Sequence, residues 1–364
     1  MSSAVTALID LNALKHNLHR VHAAAPGRKV IAVIKANAYG HGMITIAKAL
    51  QAAGVDAFAV ARFEEAQQLR QSAIYIPLLC LEGFFDAAEL TSAAKANVQP
   101  VVHHTSQVEL LEQAKLASPI TVWLKIDSGM HRMGVAPQLA GQVRHRLAQS
   151  AAVKEVKLMT HLASADDRDS RQTIQQLELF ASTARWGESE ITIANSAGIL
   201  GWPDSHGDWV RPGIMLYGVS PFIGGRGDAE NLKPVMTLKS RVIAVNAFKK
   251  GDAIGYGASW KCPEDMSIAV VACGYGDGYP RHAVPGTPLL INGQRLPLVG
   301  RVSMDSVCVD IRQAGEIAIG DEAVLWGQDL PVEEVAEQAT TIAYELLCSV
   351  TGRVIFETID LERH

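Results

Sequence analysis

The chain has 364 residues, of which 48% are hydrophobic, and its formal net charge at neutral pH is −5. This length accommodates a barrel-sized domain and a second unit, and the composition is typical of an ordered globular protein. Because the charge is slightly negative and no basic stripe stands out, nucleic acid is not expected as a partner.

The sequence carries no sign of export or of membrane insertion. No basic segment precedes an apolar stretch at the amino terminus, and no apolar run reaches the ~20 residues needed to span a bilayer. The five cysteines are scattered without a Cys-x-x-Cys pair: Cys80, Cys262, Cys273, Cys308 and Cys348. Such scatter indicates reduced thiols and no zinc site, so we expect a cytoplasmic protein without a metal ion.

The first 232 residues alternate between β-rich and helical segments. A short strand over 6–9 precedes a helix that ends at Pro26-Gly27. Eight β-rich runs follow, at residues 30–34, 55–61, 74–81, 98–103, 120–126, 155–162, 190–194 and 209–211. Helical patterns lie between most of these runs, including 63–71, 86–96, 106–116, 137–148 and 170–184. The alternation predicts an α/β domain, a TIM-like (β/α)8 barrel over residues 1–232.

From residue 233 the sequence pattern changes to short β-like runs separated by Gly, Pro and Asp. These runs lie at 235–245, 268–272, 289–291, 296–298, 307–311 and 323–326. A helix is predicted over 332–339, a second near 344–349, and a closing strand over 354–359. Residues 233–364 are therefore predicted to form a mainly-β domain, and the first ten residues are expected to pack with it.

Polar residues fall at or just past five of the predicted barrel strands. They are Lys35, Asp127, His161, Asn195 and Arg211. In barrels of this kind, the carboxyl ends of the strands carry the active site. These residues are therefore candidates for function.

Lys35 ends a β-branched apolar run that is expected to be buried on both faces. Desolvation at such a position lowers the pKa of a lysine and makes its amine available. Gly40 and Gly42 follow in a turn, and apolar residues then recur at helical spacing. A lysine that bonds to a carbonyl cofactor fits this arrangement. The alternative is a lysine whose ammonium reaches from the strand end to solvent.

Two further turns carry small hydrogen-bonding residues after predicted strands. They are Ala194-Asn195-Ser196-Ala197-Gly198 and Arg211-Pro212-Gly213-Ile214. Backbone N–H groups in the late loops of a barrel commonly bind phosphate. The alternatives are an ordinary helix cap at Asn195 and a surface ion pair at Arg211.

The segment 32–42, Ala-Val-Ile-Lys-Ala-Asn-Ala-Tyr-Gly-His-Gly, closely resembles the pyridoxal phosphate (PLP) lysine signature of alanine racemases. Segments 123–134, 194–198, 211–214, 255–260, 301–305 and 343–345 also resemble this family, so the similarity extends along the whole chain. The resemblance implies a barrel followed by a β-rich domain, PLP as cofactor, and L- and D-alanine as substrates. It also implies a homodimer that shares its active sites across the interface, and D-alanine is a peptidoglycan precursor.

The resemblance implies a role for each matching residue. Lys35 binds PLP and serves the D-alanine face of Cα, while Tyr256 of the second subunit serves the L-alanine face. Arg211 faces the pyridine nitrogen, His161 bridges Tyr256 and Arg211, and Arg132 holds the substrate carboxylate. The remaining matches are phosphate contacts at Tyr39, Ser196, Gly213, Ile214 and Tyr344, a Lys125 that is N-carboxylated in many relatives, and pocket or channel residues Tyr275, Met304 and Asp305. Ser303 departs from the cysteine that many relatives carry.

Three rival functions remain at this stage. A broad-specificity racemase differs from an alanine racemase by only a few pocket side chains, each worth ~1–3 kcal/mol per methylene. Related decarboxylases usually set a carboxylate against the pyridine nitrogen, where this chain has Arg211. A non-catalytic barrel that stores PLP typically lacks a β-rich second domain and would lack Tyr256.

Overall fold

The structure is a computed structural model that describes residues 5–183 and 189–360. The predicted end of one helix at Ala184 lies outside the described residues, as do the ends of the two predicted domains at 1–4 and 361–364. Across the described ranges, no helix is both long enough and apolar enough to cross a membrane.

Strand β1 (Thr6–Asp10) and helix α1 (Leu11–Ala24) precede a closed barrel of eight parallel strands. The barrel strands follow chain order: β2 (Lys29–Val33), β3 (Ala57–Val60), β4 (Leu78–Cys80), β5 (Val98–Val102), β6 (Ile120–Lys125), β7 (Val153–Met159), β8 (Ile191–Thr192) and β9 (Trp209–Val210). The ring closes where β9 pairs with β2, with Trp209 beside Lys29. The barrel predicted from the alternation is confirmed.

Helical segments connect the barrel strands. They are α2 (Lys35–Tyr39), α3 (Met43–Ala52), α4 (Phe63–Gln71), α5 (Ala87–Lys95), α6 (Thr105–Gln113), α7 (Pro137–Gln149), α8 (Arg171–Thr183) and α9 (Ser196–Gly201). Each longer helix buries its apolar stripe, as α3 does with Met43, Ile46, Ala47 and Leu50. Most residues of the barrel strands, apart from the first half of β7, are buried because helices cover the outside and side chains fill the inside.

The amino-terminal end of the barrel is closed by a cluster around Glu190. Its carboxylate accepts hydrogen bonds from Lys29 Nζ at 2.7 Å, Lys157 Nζ at 2.5 Å and Trp209 Nε1 at 2.8 Å. Lys157 also lies over the rings of Trp123 and Trp209, at 5.3 and 5.2 Å from their centroids. Burial acts to raise the pKa of Glu190, but these hydrogen bonds outweigh it and hold the pKa at about 2. The cluster thus connects the first barrel strand, β2, to β7 and β9.

The second part of the chain supplies seven strands of an eight-stranded sheet and both strands of a separate hairpin. Its strands are β10 (Met236–Phe248), β11 (Ala253–Ile254), β12 (Trp260–Lys261), β13 (Met266–Val271), β14 (Pro288–Ile291), β15 (Gln294–Val299), β16 (Val307–Asp310), β17 (Glu322–Trp326) and β18 (Ile355–Ile359). Helices α10 (Val332–Gln338) and α11 (Ala343–Ser349) precede β18. The mainly-β character is confirmed, although the β11–β12 hairpin was not predicted.

Strand β1 joins this sheet, not the barrel. It lies between β10, to which it is antiparallel, and β18, to which it is parallel. Because β1 and β10 are far apart in sequence, their hydrogen-bonded pairing connects residues 6–9 to the second part of the chain. The boundary between residues 232 and 233 stays a prediction.

Candidate functional site

A cavity of about 990 Å³ opens beyond the carboxyl ends of the barrel strands. The predicted site residues that line it are Lys35, Tyr39, Lys125, Arg132, His161, Ser196, Arg211, Gly213, Ile214 and Tyr344. Asn195 also lines the cavity, whereas Asp127 does not. The Asp127 carboxylate instead accepts hydrogen bonds from the N–H groups of Gly129 and His131, both at 3.0 Å, and so orders the loop after β6.

Lys35 follows β2 and projects its amine into this cavity. Burial, followed by the nearby Arg132 charge, lowers the pKa of Lys35 below its ordinary value of 10.5. Both causes disfavour the ammonium form, so the neutral amine is more available than it is in water. The depressed pKa expected from the sequence is therefore present.

The backbone after Lys35 adopts a conformation that sequence reasoning missed. Ala36, Asn37, Ala38 and Tyr39 have φ of 52, 54, 55 and 52°, so α2 is a left-handed turn. This region costs L-residues roughly 1–2 kcal/mol each, and only glycine visits it freely. The turn therefore needs contacts from elsewhere in the fold to persist.

Side chains on both sides hold the turn. Glu65 Oε1 accepts the N–H of Ala36 at 2.7 Å, and Asn37 Oδ1 accepts the N–H of Met43 at 2.9 Å. His41 Nδ1 donates to the carbonyls of Ala38 and Tyr39, at 3.1 and 2.9 Å. Burial lowers the pKa of His41 to about 4, so the ring is neutral at physiological pH.

Three aromatic rings pack against one another beside the same turn. The ring of Tyr217 lies between His41, at 4.6 Å, and Tyr39, at 4.8 Å between centroids. Tyr217 Oη also donates to the carbonyl of Val33 at 3.0 Å, which ties the stack to β2. Tyr39 is thereby held with its hydroxyl against Gly213: a Cβ built on Gly213 would lie 2.6 Å from that oxygen. Only glycine at position 213 allows the Tyr39 hydroxyl to come this close to the backbone.

The Gly213 turn and the start of α9 are joined through Ser196. Its Oγ accepts the N–H of Gly213 at 2.9 Å and that of Met215 at 3.3 Å. Asn195 Oδ1 accepts the N–H of Gly198 at 2.9 Å and caps α9, so the helix-cap alternative for Asn195 is correct. The two predicted phosphate turns thus meet at one wall of the cavity.

Arg211 is buried and makes its hydrogen bonds inside the barrel. It donates to the carbonyl of Thr160 at 2.6 Å, to Thr192 Oγ1 at 2.7 Å and to the carbonyl of Ile193 at 3.0 Å. It also donates to His161 Nδ1 at 3.3 Å, which makes that nitrogen the acceptor. Burial, with the Arg211 charge next, lowers the pKa of His161 well below 6.5, so the imidazole is neutral.

The wall of the cavity carries four clustered cationic side chains: Lys35, Lys125, Arg132 and Arg211. Burial and the charges of Arg211, Arg132 and Lys35 lower the pKa of Lys125 to about 8. Burial lowers the pKa of Arg211 to about 10. Cations that depress one another's pKa values in a buried site are stabilised by an anion between them. The chemistry of these residues therefore fits an anionic occupant such as a phosphorylated cofactor or an amino acid carboxylate.

The other predicted residues lie in the second part of the chain, outside the cavity. Tyr256 is in the turn between β11 and β12, and 67% of it is exposed. The loops of Tyr275 and Met304 are joined, since the N–H of Tyr275 donates to the carbonyl of Ser303 at 3.1 Å. Asp305 binds the Arg353 guanidinium at 2.7 Å. Within one chain, the structure thus divides the predicted residues between two places.

No group of three or more His, Cys, Asp or Glu side chains within residues 5–183 and 189–360 is arranged to hold a metal ion.

Known families account for nearly the whole chain. Residues 9–221 match the family described as alanine racemase, N-terminal domain, and residues 235–357 match alanine racemase, C-terminal domain. The chain belongs to the alanine racemase family. The family membership expected from the sequence is therefore confirmed.

Individual alanine racemases resemble the chain over its full length. One from Nitrosococcus oceani is 52% identical over 349 residues, which cover 96% of this chain and 97% of the relative. One from Vibrio atlanticus is 50% identical over 357 residues, which cover 98% of this chain and 99% of the relative. The crystal structure of a biosynthetic alanine racemase from Pseudomonas aeruginosa superposes with a TM-score of 0.96 at 41% identity, covering 99% of this chain and 100% of that one.

A further alanine racemase structure is described with its cofactor. It comes from Bartonella henselae with covalently bound pyridoxal phosphate, and it has a TM-score of 0.88 at 30% identity, covering 98% of this chain and 100% of that one. The barrel followed by a mainly-β part is thus the architecture of alanine racemases.

Proposed function

We propose that this protein is a PLP-dependent isomerase that interconverts L-alanine and D-alanine by two proton-transfer groups, Lys35 and Tyr256. The observation that carries the proposal is the cavity itself. It places the Lys35 amine, with its lowered pKa, beside two guanidinium groups and the paired turns at Ser196 and Gly213. Family membership supports the same reaction.

The cavity residues fit PLP in both shape and charge. The turns at Ser196 and Gly213 would hold the phosphate, together with the backbone of Ile214 and the hydroxyls of Tyr39 and Tyr344. When bound, PLP acts as an electron sink that makes the Cα proton of an attached amino acid acidic. Arg211 would face the pyridine nitrogen and, because it only donates, would leave that nitrogen unprotonated.

Each proton-transfer group serves one face of Cα. Lys35 takes the proton of D-alanine, and its lowered pKa favours the neutral amine that can accept a proton. Tyr256 takes the proton of L-alanine from the opposite face, with His161 as the link between Tyr256 and Arg211. Arg132 would bind the substrate carboxylate through its forked guanidinium.

Lys125 is proposed to be N-carboxylated. Its lowered pKa, about 8, leaves neutral amine whose nitrogen can bond to the carbon of carbon dioxide, with loss of one N–H proton to solvent. The resulting anion would be stabilised by the neighbouring Arg211, Arg132 and Lys35, which now repel the Lys125 ammonium.

The active protein is proposed to be a homodimer whose sites combine both subunits. Tyr256 is exposed and does not line the cavity of its own chain, which supports its delivery to the cavity of a second copy. Tyr275, Met304 and Asp305 would arrive with it as pocket and channel residues. A two-fold axis would create two such sites per dimer.

The five free cysteines support a reducing compartment such as the cytoplasm.

Hydrogen exchange at Cα tests the two-group assignment. In deuterium oxide, Tyr256→Phe should lose deuterium incorporation from L-alanine but retain it from D-alanine, because Lys35 still serves that face. The exposed Tyr75 offers a matched control, and Tyr75→Phe should behave as the wild type. Equal exchange from both enantiomers by Tyr256→Phe would exclude Tyr256 as a base. The same assay with L-serine distinguishes a broad-specificity racemase.

Complementation tests the shared site. Lys35→Ala and Tyr256→Phe are each expected to be inactive, but a mixed dimer retains one intact pair. If the two variants are dissociated and reassociated at random, about a quarter of wild-type activity should return, since half of the dimers are mixed and each has one intact site. If mixing restores nothing while mixed dimers form, both groups must act within one chain.

A further inference from the structure

The residue directly after Lys35 is held by a carboxylate from the next β/α unit. Glu65 lies in the first turn of α4, and its Oε1 accepts the Ala36 N–H at 2.7 Å. Its Oε2 accepts the N–H groups of Ala61 and Arg62, at 2.9 and 3.1 Å. One side chain thus connects the turn after β2 with the loop after β3.

The Ala36 contact lies where the left-handed turn begins. Ala36 directly follows Lys35 and is the first of the consecutive residues with positive φ. From these contacts we infer that Glu65 is a positioning residue, which fixes the orientation and the electrostatic environment of the Lys35 amine. This inference rests on the proposed function, in which Lys35 binds PLP and moves a proton.

An ordinary structural role explains only part of the arrangement. A glutamate at the third position of a helix often accepts the N–H of the residue before the helix, a cap worth roughly 1 kcal/mol. The bonds to Ala61 and Arg62 fit that role. The bond to Ala36 adds nothing to the cap, because Ala36 belongs to a different element. It serves the turn instead.

Glu65 also counters the cations around Lys35. The charged or titratable groups that face the Lys35 amine come from several elements: Glu65 on α4, Glu82 after β4, Lys125 on β6, Arg132 in the following loop, His161 after β7 and Cys348 on α11. Burial and then Arg132 lower the pKa of Lys35, whereas Glu65 and Glu82 act to raise it. Loss of the Glu65 charge should therefore lower the pKa of Lys35 further.

Three variants of the PLP-loaded enzyme separate geometry from charge. Glu65→Gln removes the charge, Glu65→Asp keeps the charge but shortens the side chain, and Glu64→Gln is the control. Glu64 lies in the same first turn of α4 and is exposed. Both Glu65 variants should lower kcat for D-alanine by about ten- to a hundred-fold with little change in KM, since small misplacements of reacting groups cost rates of this order.

Two further readouts report on Lys35 directly. The acid limb of the kcat profile for D-alanine should move to lower pH in Glu65→Gln, but not in Glu65→Asp or Glu64→Gln. Amide hydrogen exchange over residues 35–42, measured by mass spectrometry, should accelerate in both Glu65 variants. An unchanged pH profile and unchanged exchange in Glu65→Gln, even with a lowered melting temperature, would reduce Glu65 to a helix cap and overturn the inference.

Borohydride reduction followed by peptide mapping separates this inference from the proposed function. Wild type should carry the reduced PLP on Lys35. If it is carried elsewhere, the proposed function fails and the inference fails with it. If Lys35 is labelled but Glu65→Gln matches Glu64→Gln in rate, profile and exchange, the inference alone fails. Should Glu65→Gln not fold, the rate and exchange of Glu65→Asp decide the question.

Discussion

Glu190 provides a quantitative test of how the barrel is closed. Its carboxylate binds Lys29, Lys157 and Trp209, which join β2, β7 and β9 near the point where the first and last barrel strands pair. Glu190→Gln keeps the size of the side chain but removes the charge that both lysines bind. The substitution should lower the free energy of unfolding without affecting the cavity at the opposite end of the barrel.

The size of the effect follows from the pKa of Glu190. The folded protein holds it at about 2, against an ordinary value of 4.5. At about 1.4 kcal/mol per factor of ten in acidity, folding favours the carboxylate by about 3 kcal/mol. Because 27% of the side chain is exposed, solvent screening reduces the expected loss to about 2 kcal/mol.

The pKa of Glu190 also determines the direction in which this stabilisation changes with pH. A folded pKa below the unfolded one contributes stability that is complete above the unfolded pKa of 4.5 and disappears as the pH falls toward the folded pKa of about 2. The difference between wild type and Glu190→Gln should therefore be full at about pH 6 and shrink below about pH 4.5.

Urea unfolding, followed by tryptophan fluorescence over this pH range, measures the difference. Glu155→Gln is the control, because Glu155 approaches the same Lys157 at 3.8 Å but is 46% exposed. The Glu155→Gln substitution should lower the free energy of unfolding by less than about 1 kcal/mol. A difference for Glu190→Gln that does not change with pH, or that equals the Glu155 control, would refute the assignment of the stabilisation to the charge of Glu190.

Two further predictions concern the cavity. Lys35→Ala should abolish the visible absorbance band of bound PLP, and a spectrum that keeps the band would exclude Lys35 as the attachment point. Gly213→Ala should weaken PLP binding by about ten-fold or more in a fluorescence titration, because the new Cβ would lie 2.6 Å from Tyr39 Oη and the stacked ring cannot move away cheaply. Gly352→Ala, where a Cβ meets nothing within 4 Å, is its control and should bind PLP normally.

Much of the architecture could be predicted because hydrophobic periodicity determines it locally. The helix predicted over 63–71 is α4, with the same bounds, and the strand predicted over 307–311 is β16 (Val307–Asp310). The barrel strands are short and buried on both faces, so their apolar runs stand out between polar loops. Strand-end position also identified Lys35, His161 and Arg211 as candidates, and all three line the cavity.

The left-handed turn after Lys35 could not be predicted, because in Ala-Asn-Ala-Tyr only the asparagine tolerates positive φ well and the other three residues disfavour it. Its conformation depends on Glu65 and on the Tyr217 ring, both distant in sequence. The β11–β12 hairpin escaped notice for another reason: each strand has only two residues, too few for a periodic pattern. Asp127 satisfied the strand-end rule but orders its own loop, so the rule by itself does not separate binding residues from structural ones.

The position of β1 has a consequence for synthesis on the ribosome. Residues 6–10 are synthesised long before β18, yet β1 lies in the sheet between β10 and β18, and β18 ends at Ile359. At translation rates of roughly 5–20 residues per second, this segment waits on the order of 20–70 s for its last partner. The barrel can close during that interval, while the sheet is completed only after β18 has been synthesised. A change in β1 therefore affects the last step of folding, not the first.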